Sequence, residues 1–137
     1  MKLARNLAFL AVFLMSVSPA LAAAIGQSNQ QVQAVANPIL DSILTGFNDG
    51  NYDQYSKDFD AAMKRAIPAQ TFSQTRDAIL KKVGKYQSRT YLGYLKKGNI
   101  TVVLWKGRFS ASHDDILIEL ALSQQENKVK VSGLWFK

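Results

Sequence analysis

The sequence predicts an α+β fold in which N-terminal helices pack on the concave face of a curved four-stranded antiparallel sheet. Three observations carry this reading. Residues 86–136 form four runs of alternating apolar and polar side chains, the period of half-buried strands. The runs are separated by Gly98-Asn99, by Ser112-His113-Asp114-Asp115 and by Glu126-Asn127, all turn formers. Upstream, apolar residues recur at steps of three and four, the spacing of helices that bury one stripe.

Taken in order, the chain opens with Lys2 and Arg5, an apolar run over Leu7–Val17, and Ser18-Pro19-Ala20-Leu21-Ala22. A basic start, a short apolar core and an A-x-A end describe a secretory signal peptide over residues 1–22, and the run is short for a bilayer span. Cleavage is expected after Ala22, with Ala23 and Ala24 as neighbouring alternatives. The expected destination is export from a bacterium, periplasmic or secreted, with no transmembrane segment in the mature protein. Residues 23–31 are small and polar and read as a flexible mature terminus. Residues 32–137 read as one domain, of ordinary size and, at 47% apolar residues, able to bury a core. The chain contains no cysteine, so a disulfide framework and a thiolate metal site are both excluded.

Val32, Val35, Ala36, Ile39, Leu40, Ile43, Leu44 and Phe47 lie on one helical stripe. Pro38 falls inside it, so either Asn37 caps a helix that begins at Pro38, or a kinked helix runs from about Ser28. Asn48-Asp49-Gly50-Asn51 ends it. A second stripe over Tyr52, Tyr55, Phe59, Met63 and Ile67 stops at Pro68. Thr71 and Gln74 have capping-box spacing ahead of a third helix expected to bury Phe72, Thr75, Ile79, Leu80 and Val83 and to leave at Gly84.

The strands are expected at Tyr86–Lys97, Ile100–Ala111, Ile116–Gln125 and Lys128–Phe136. If the turns set the register, the inner face carries a row of Ser88, Phe109, Ile118 and Trp135 and another of Leu92, Trp105, Leu122 and Val131. Between them, Thr90, Gly107, Leu120 and Gly133 form a row in which two glycines mark a bend or a gap. The outer face then holds Arg89, Tyr91, Lys106, Arg108, Glu119, Lys130 and Ser132, with Glu119 opposite Arg108.

Several motifs carry a family resemblance. A helix ending in Asn-Asp-Gly-Asn-Tyr, a later one ending in Lys-Val-Gly-Lys-Tyr, and the strand Val-Lys-Val-Ser-Gly-Leu-Trp-Phe together resemble the nuclear-transport-factor-2-like, cystatin-like cone fold. More narrowly they are similar to the bacterial domain-of-unknown-function family DUF3887. The resemblance spans about Val32 to Phe136. It implies helices closing the concave side of a curled sheet over a pocket, used by different members for catalysis, binding or dimerisation.

The expected inner strand positions include no carboxylate or histidine to act as general base, which favours a non-catalytic binding or interaction domain. The alternative is an isomerase, lyase or hydrolase using a helix-borne polar residue such as Asp41, Tyr52 or Tyr55. Candidate pocket residues are Tyr52, Tyr55, Phe59, Thr90, Trp105, Gly107, Phe109, Gly133 and Trp135, taking a small apolar or amphipathic ligand. The same aromatics equally suit an ordinary core. His113, beside Asp114 and Asp115, reads as a solvated turn, and no catalytic residue, metal or cofactor is assigned. Residues 24–63 carry one lysine and five aspartates, net −4, whereas 64–137 carry fourteen basic and five acidic residues, net +9. The basic outer face suits an anionic partner, such as polyanionic envelope material or lipid headgroups, or plain solvation, and an exported chain with no stacking motif is not expected to bind nucleic acid. Leu95, Ile100, Val102 and Leu104 place apolar residues on the same face, where a weak homodimer is expected.

Overall fold

The computed structural model describes residues 25–137; the expected signal peptide and residues 23 and 24 lie outside them. Four helices are followed by a four-stranded sheet: α1 (Asn29–Asp49), α2 (Tyr52–Tyr55), α3 (Ala61–Ala66), α4 (Ala69–Val83), β1 (Tyr86–Lys97), β2 (Ile100–Phe109), β3 (Ile116–Gln125) and β4 (Lys128–Phe136). The sheet is antiparallel in the order β1-β2-β3-β4. The α+β class and the order of helices before sheet are as the sequence predicts.

Helix α1 settles the alternatives at Pro38: it begins at Asn29 and carries the proline inside. Ser28 is its N-cap, accepting from the Gln31 N–H, so residues 29–31 belong to the helix and not to a loose terminus. Gly50 ends it in the left-handed region at φ 69°, donating to the carbonyls of Gly46 and Phe47. Val32, Ala36, Leu40, Ile43, Leu44 and Phe47 are buried, as the stripe requires.

The second stripe is not one helix. Asp58 and Asp60 bracket a parallel bridge between Phe59 and Val131, with Val131 N–H donating to Asp58 O at 2.7 Å and Asp60 N–H to Val131 O at 2.9 Å. This splits it into α2 and α3, and the Asp60 carboxylate restarts the helix by accepting from Met63 N–H. Helix α4 starts at Ala69 behind Pro68, two residues before Thr71, and has no side-chain cap, so the Thr71–Gln74 capping box does not form.

The two short hairpins match expectation: Lys97 pairs with Ile100 and Gln125 with Lys128. Gly98 is left-handed at φ 61°, and Glu126 and Asn127 both adopt positive φ, the type I′ pattern. The middle connection is longer than expected. Ser110 and Ala111 donate to the carbonyls of Lys85 and Val83 instead of pairing with β3, so Gly107 pairs with Ile116 and Trp105 with Ile118. Glu119 therefore faces Leu104, not Arg108, and its ion pair is with Lys137 at 3.1 Å.

Three slips in register change which side chains point inward, two on β1 and one on β4, and the first of them, between Tyr86 and Ser88, sets Tyr86 opposite Phe109. Between Tyr91 and Gly93 the β1 register slips by one residue, so Arg89 pairs with Gly107 and Tyr91 with Trp105. Ser88, Thr90 and Leu92 are thereby turned to the outer face. On β4 a slip at Ser132 places Leu134 and Phe136 inside and turns Gly133 and Trp135 outward. The core against α1 is built from Val103, Trp105, Phe109, Ile118, Leu120, Leu122 and Val131.

Candidate functional site

Of the nine expected pocket residues, Tyr55, Phe59, Trp105 and Phe109 are buried in the core, with Gly107 on the same face. Thr90, Gly133 and Trp135 stand on the opposite face, a correction that follows from the register slips on β1 and β4. The residues that remain inside form packed aromatic groups. Tyr55 meets Phe59 at 5.1 Å and Phe72 at 4.4 Å, while Tyr52 is anchored by its hydroxyl donating to Ile67 O at 2.6 Å. Phe109 contacts Phe47, Tyr86 and Phe136, all edge to face. The gap expected at Gly107 is occupied: a Cβ there would lie 2.8 Å from Ile118 Cδ1 and 3.2 Å from Phe109 Cε2. The apolar pocket read from the glycine row is thus filled by Ile118 and Phe109, and Gly133 is covered on the other face by the Trp135 ring.

A different site emerges where α1 crosses the edge strand β1. Three polar links lace the two elements together. Tyr91 donates to Asn29 at 2.9 Å, Arg89 pairs with Asp41 at 2.7 Å, and Asn48 exchanges two hydrogen bonds with the Tyr86 backbone at 2.8 and 2.9 Å. Asn29, Gln33, Asn37 and Asp41 are successive i, i+4 positions on one face of α1. Between the first link and the second, Gln33 and Asn37 face Arg89 and Tyr91 across a cleft of about 420 Å³, with Trp105 among its lining residues.

The electrostatics of this cleft are specific. The Arg89 guanidinium is largely buried, which by itself disfavours its charge. Its hydrogen bonds with Asp41 and Tyr86 outweigh that and hold its pKa above the ordinary arginine value. It sits 5.9 Å from the Trp105 ring centroid, a cation–π contact. The Trp105 Nε1–H is buried without a hydrogen-bond partner, although indole donors inside proteins usually find one. Asp41 is 61% exposed at its side chain, so the counter-ion of Arg89 lies toward solvent.

Chemically the residues lining the cleft are the Arg89 guanidinium, the Trp105 indole, two adaptable amides, Gln33 and Asn37, and the Tyr91 ring. That combination suits a small molecule with an acceptor oxygen and a flat or apolar body. Two other clefts differ in character. One, about 580 Å³, is lined largely by charged side chains, among them Asp60, Lys64, Glu126, Lys128 and Lys130. The other, about 500 Å³, runs between α4 and the chain end past Ile79, Val83, Ile116 and Phe136. His113 is exposed in its turn, and no cluster of three or more His, Cys, Asp or Glu suited to a metal occurs among the described residues.

Sequence reasoning missed Arg89 and Tyr91 because the bulge moved them inward. Gln33 and Asn37 had a signal, the polar i, i+4 row beside the apolar stripe.

The family model described as "Protein of unknown function (DUF3887)" matches residues 41–132, from Asp41 on α1 to Ser132 on β4. The chain belongs to this family. The DUF3887 match includes Asp41, Arg89 and Trp105, while Gln33 and Asn37 precede it. No curated protein matches the chain. Among the described residues, no helix is long and apolar enough to cross a membrane.

Proposed function

We propose that this DUF3887 chain is an exported, non-catalytic binding domain of the nuclear-transport-factor-2-like kind, which takes a small molecule in the cleft between α1 and β1. The observation that carries the site is the buried Trp105 Nε1–H without a partner, beside a guanidinium whose counter-ion faces solvent. A buried donor left unmade costs roughly 1–3 kcal/mol, a penalty that a ligand oxygen would remove on binding. The order of helices before sheet supports the superfamily assignment, and the basic, apolar and A-x-A pattern of residues 1–22 supports export. Non-catalytic action is supported by the make-up of the cleft. Its lining residues include no carboxylate, and Asp41 beside it is paired with Arg89.

Native mass spectrometry of protein recovered from its exporting cell tests this reading. A small molecule should accompany the wild-type chain and be lost from Arg89→Gln and Trp105→Phe variants that remain folded. Retention of the same molecule by both variants would place the site elsewhere.

A further inference from the structure

The outer face of the sheet has a character the cleft does not use. The bulges on β1 and β4 turn Leu92 and Trp135 outward, where with Leu95 they are 55%, 46% and 49% exposed. Half-buried Val102 and Leu104 lie between them on β2. Around this apolar strip stand Lys97, Lys106, Arg108, Lys130 and Lys137, against Glu119 and Asp115, which those cations already engage. The Lys137 ammonium sits 6.0 Å from the Trp135 ring centroid. Five basic groups against two acidic ones leave the face positive.

We infer that this face docks on an anionic lipid bilayer, with Leu92, Leu95 and Trp135 entering the interface and the surrounding lysines and arginine meeting headgroup phosphates. Charge complementarity selects this occupant. A second copy of the chain placed face to face would bring two positive surfaces together. A protein partner would need separate pockets for tips on β1 and β4, about 14 Å apart across the sheet. A fluid interface accepts such tips wherever they fall, and an indole beside a lysine suits the headgroup level. The clefts described above are lined by none of Leu92, Leu95, Val102, Leu104 and Trp135.

The test is co-sedimentation with vesicles of phosphatidylcholine alone and of phosphatidylcholine mixed with phosphatidylglycerol. It uses exported protein, so that every variant has the same N-terminus. Binding to the anionic vesicles is expected to be about tenfold or more tighter, and to weaken as salt rises. A blue shift in tryptophan emission should accompany it and vanish in Trp135→Phe. Leu92→Ser with Leu95→Ser, and separately Lys97→Glu with Lys130→Glu, should each cut binding about tenfold while circular dichroism stays unchanged. Absence of binding to either vesicle overturns the inference. So does binding unchanged in both double variants. A lipid-free dimer that already blue-shifts Trp135 and dissociates in the Leu92/Leu95 variant would assign the face to a second copy instead.

Discussion

Gly107 and Gly133 look equivalent in the sequence, yet the structure gives them different neighbours and different tolerance. A Cβ on Gly107 would press on Ile118 and Phe109, both buried and held by core packing. Gly107→Ala is therefore expected to cost about 1–3 kcal/mol in a denaturant melt. At Gly133 the added atom meets the Trp135 indole, which is 46% exposed and free to swing toward solvent. Gly133→Ala should cost roughly 0.5 kcal/mol or less. Tyr55 supplies a second test at this scale. Burial, and then the neighbouring Tyr52, pushes its phenol from 10.0 up to about 12. A raised folded pKa on this group means its contribution is complete below pH 10 and is lost as pH rises from 10 toward 12. The loss over that window is about 2–3 kcal/mol. Melts through the alkaline range should show a steeper fall for wild type than for Tyr55→Phe, and parallel curves would contradict the assignment.

At the scale of elements, what was legible in the sequence was whatever is written in local chemistry. Gly98-Asn99 and Glu126-Asn127 demand turns, and the alternation in β2 and β3 places Val103, Trp105, Ile118 and Leu120 inside in the structure as expected. What was not legible was the pair of register slips in β1 and the one in β4. A bulge shifts every side chain beyond it to the other face, and at Ser132 no residue type announces it. Gly93, at φ 151°, was a readable hint that the hairpin register overrode. The split of the Tyr52–Ile67 stripe was also illegible, because it depends on Val131, some seventy residues away, pairing beside Phe59. One helix-to-helix device was likewise hidden. Arg76 of α4 donates to the carbonyl of Phe47, and at 2.8 Å to that of Asn48, covering the C-terminal end of α1. Arg76→Met keeps the apolar stem but removes both charged hydrogen bonds. It should lower stability by about 1–3 kcal/mol, with Arg76→Lys recovering part of the loss.

At the scale of the whole molecule, the helical half supplies one wall of the cleft beside β1, and the position of α1 bears on where a leader could be removed without loss of the fold. Ile25 packs against the core and Ser28 caps the helix, so the folded domain needs the chain from about residue 25 onward. Cleavage after Ala22 keeps both and removes the apolar run Leu7–Val17, whereas cleavage beyond Ser28 would uncap α1 at a cost of about 0.5–2 kcal/mol. A cut after Ala22 or Ala24 satisfies the A-x-A pattern and the fold together, and one after Ala23 also leaves the fold intact. The expected outcome is that intact-mass measurement on exported protein finds a chain beginning at Ala23 or within two residues of it. A chain made from Ala23 should melt with the exported protein, and one made from Asn29 should melt earlier. A mass that still includes Met1 would show that the leader is retained, leaving the domain tethered by its own N-terminus.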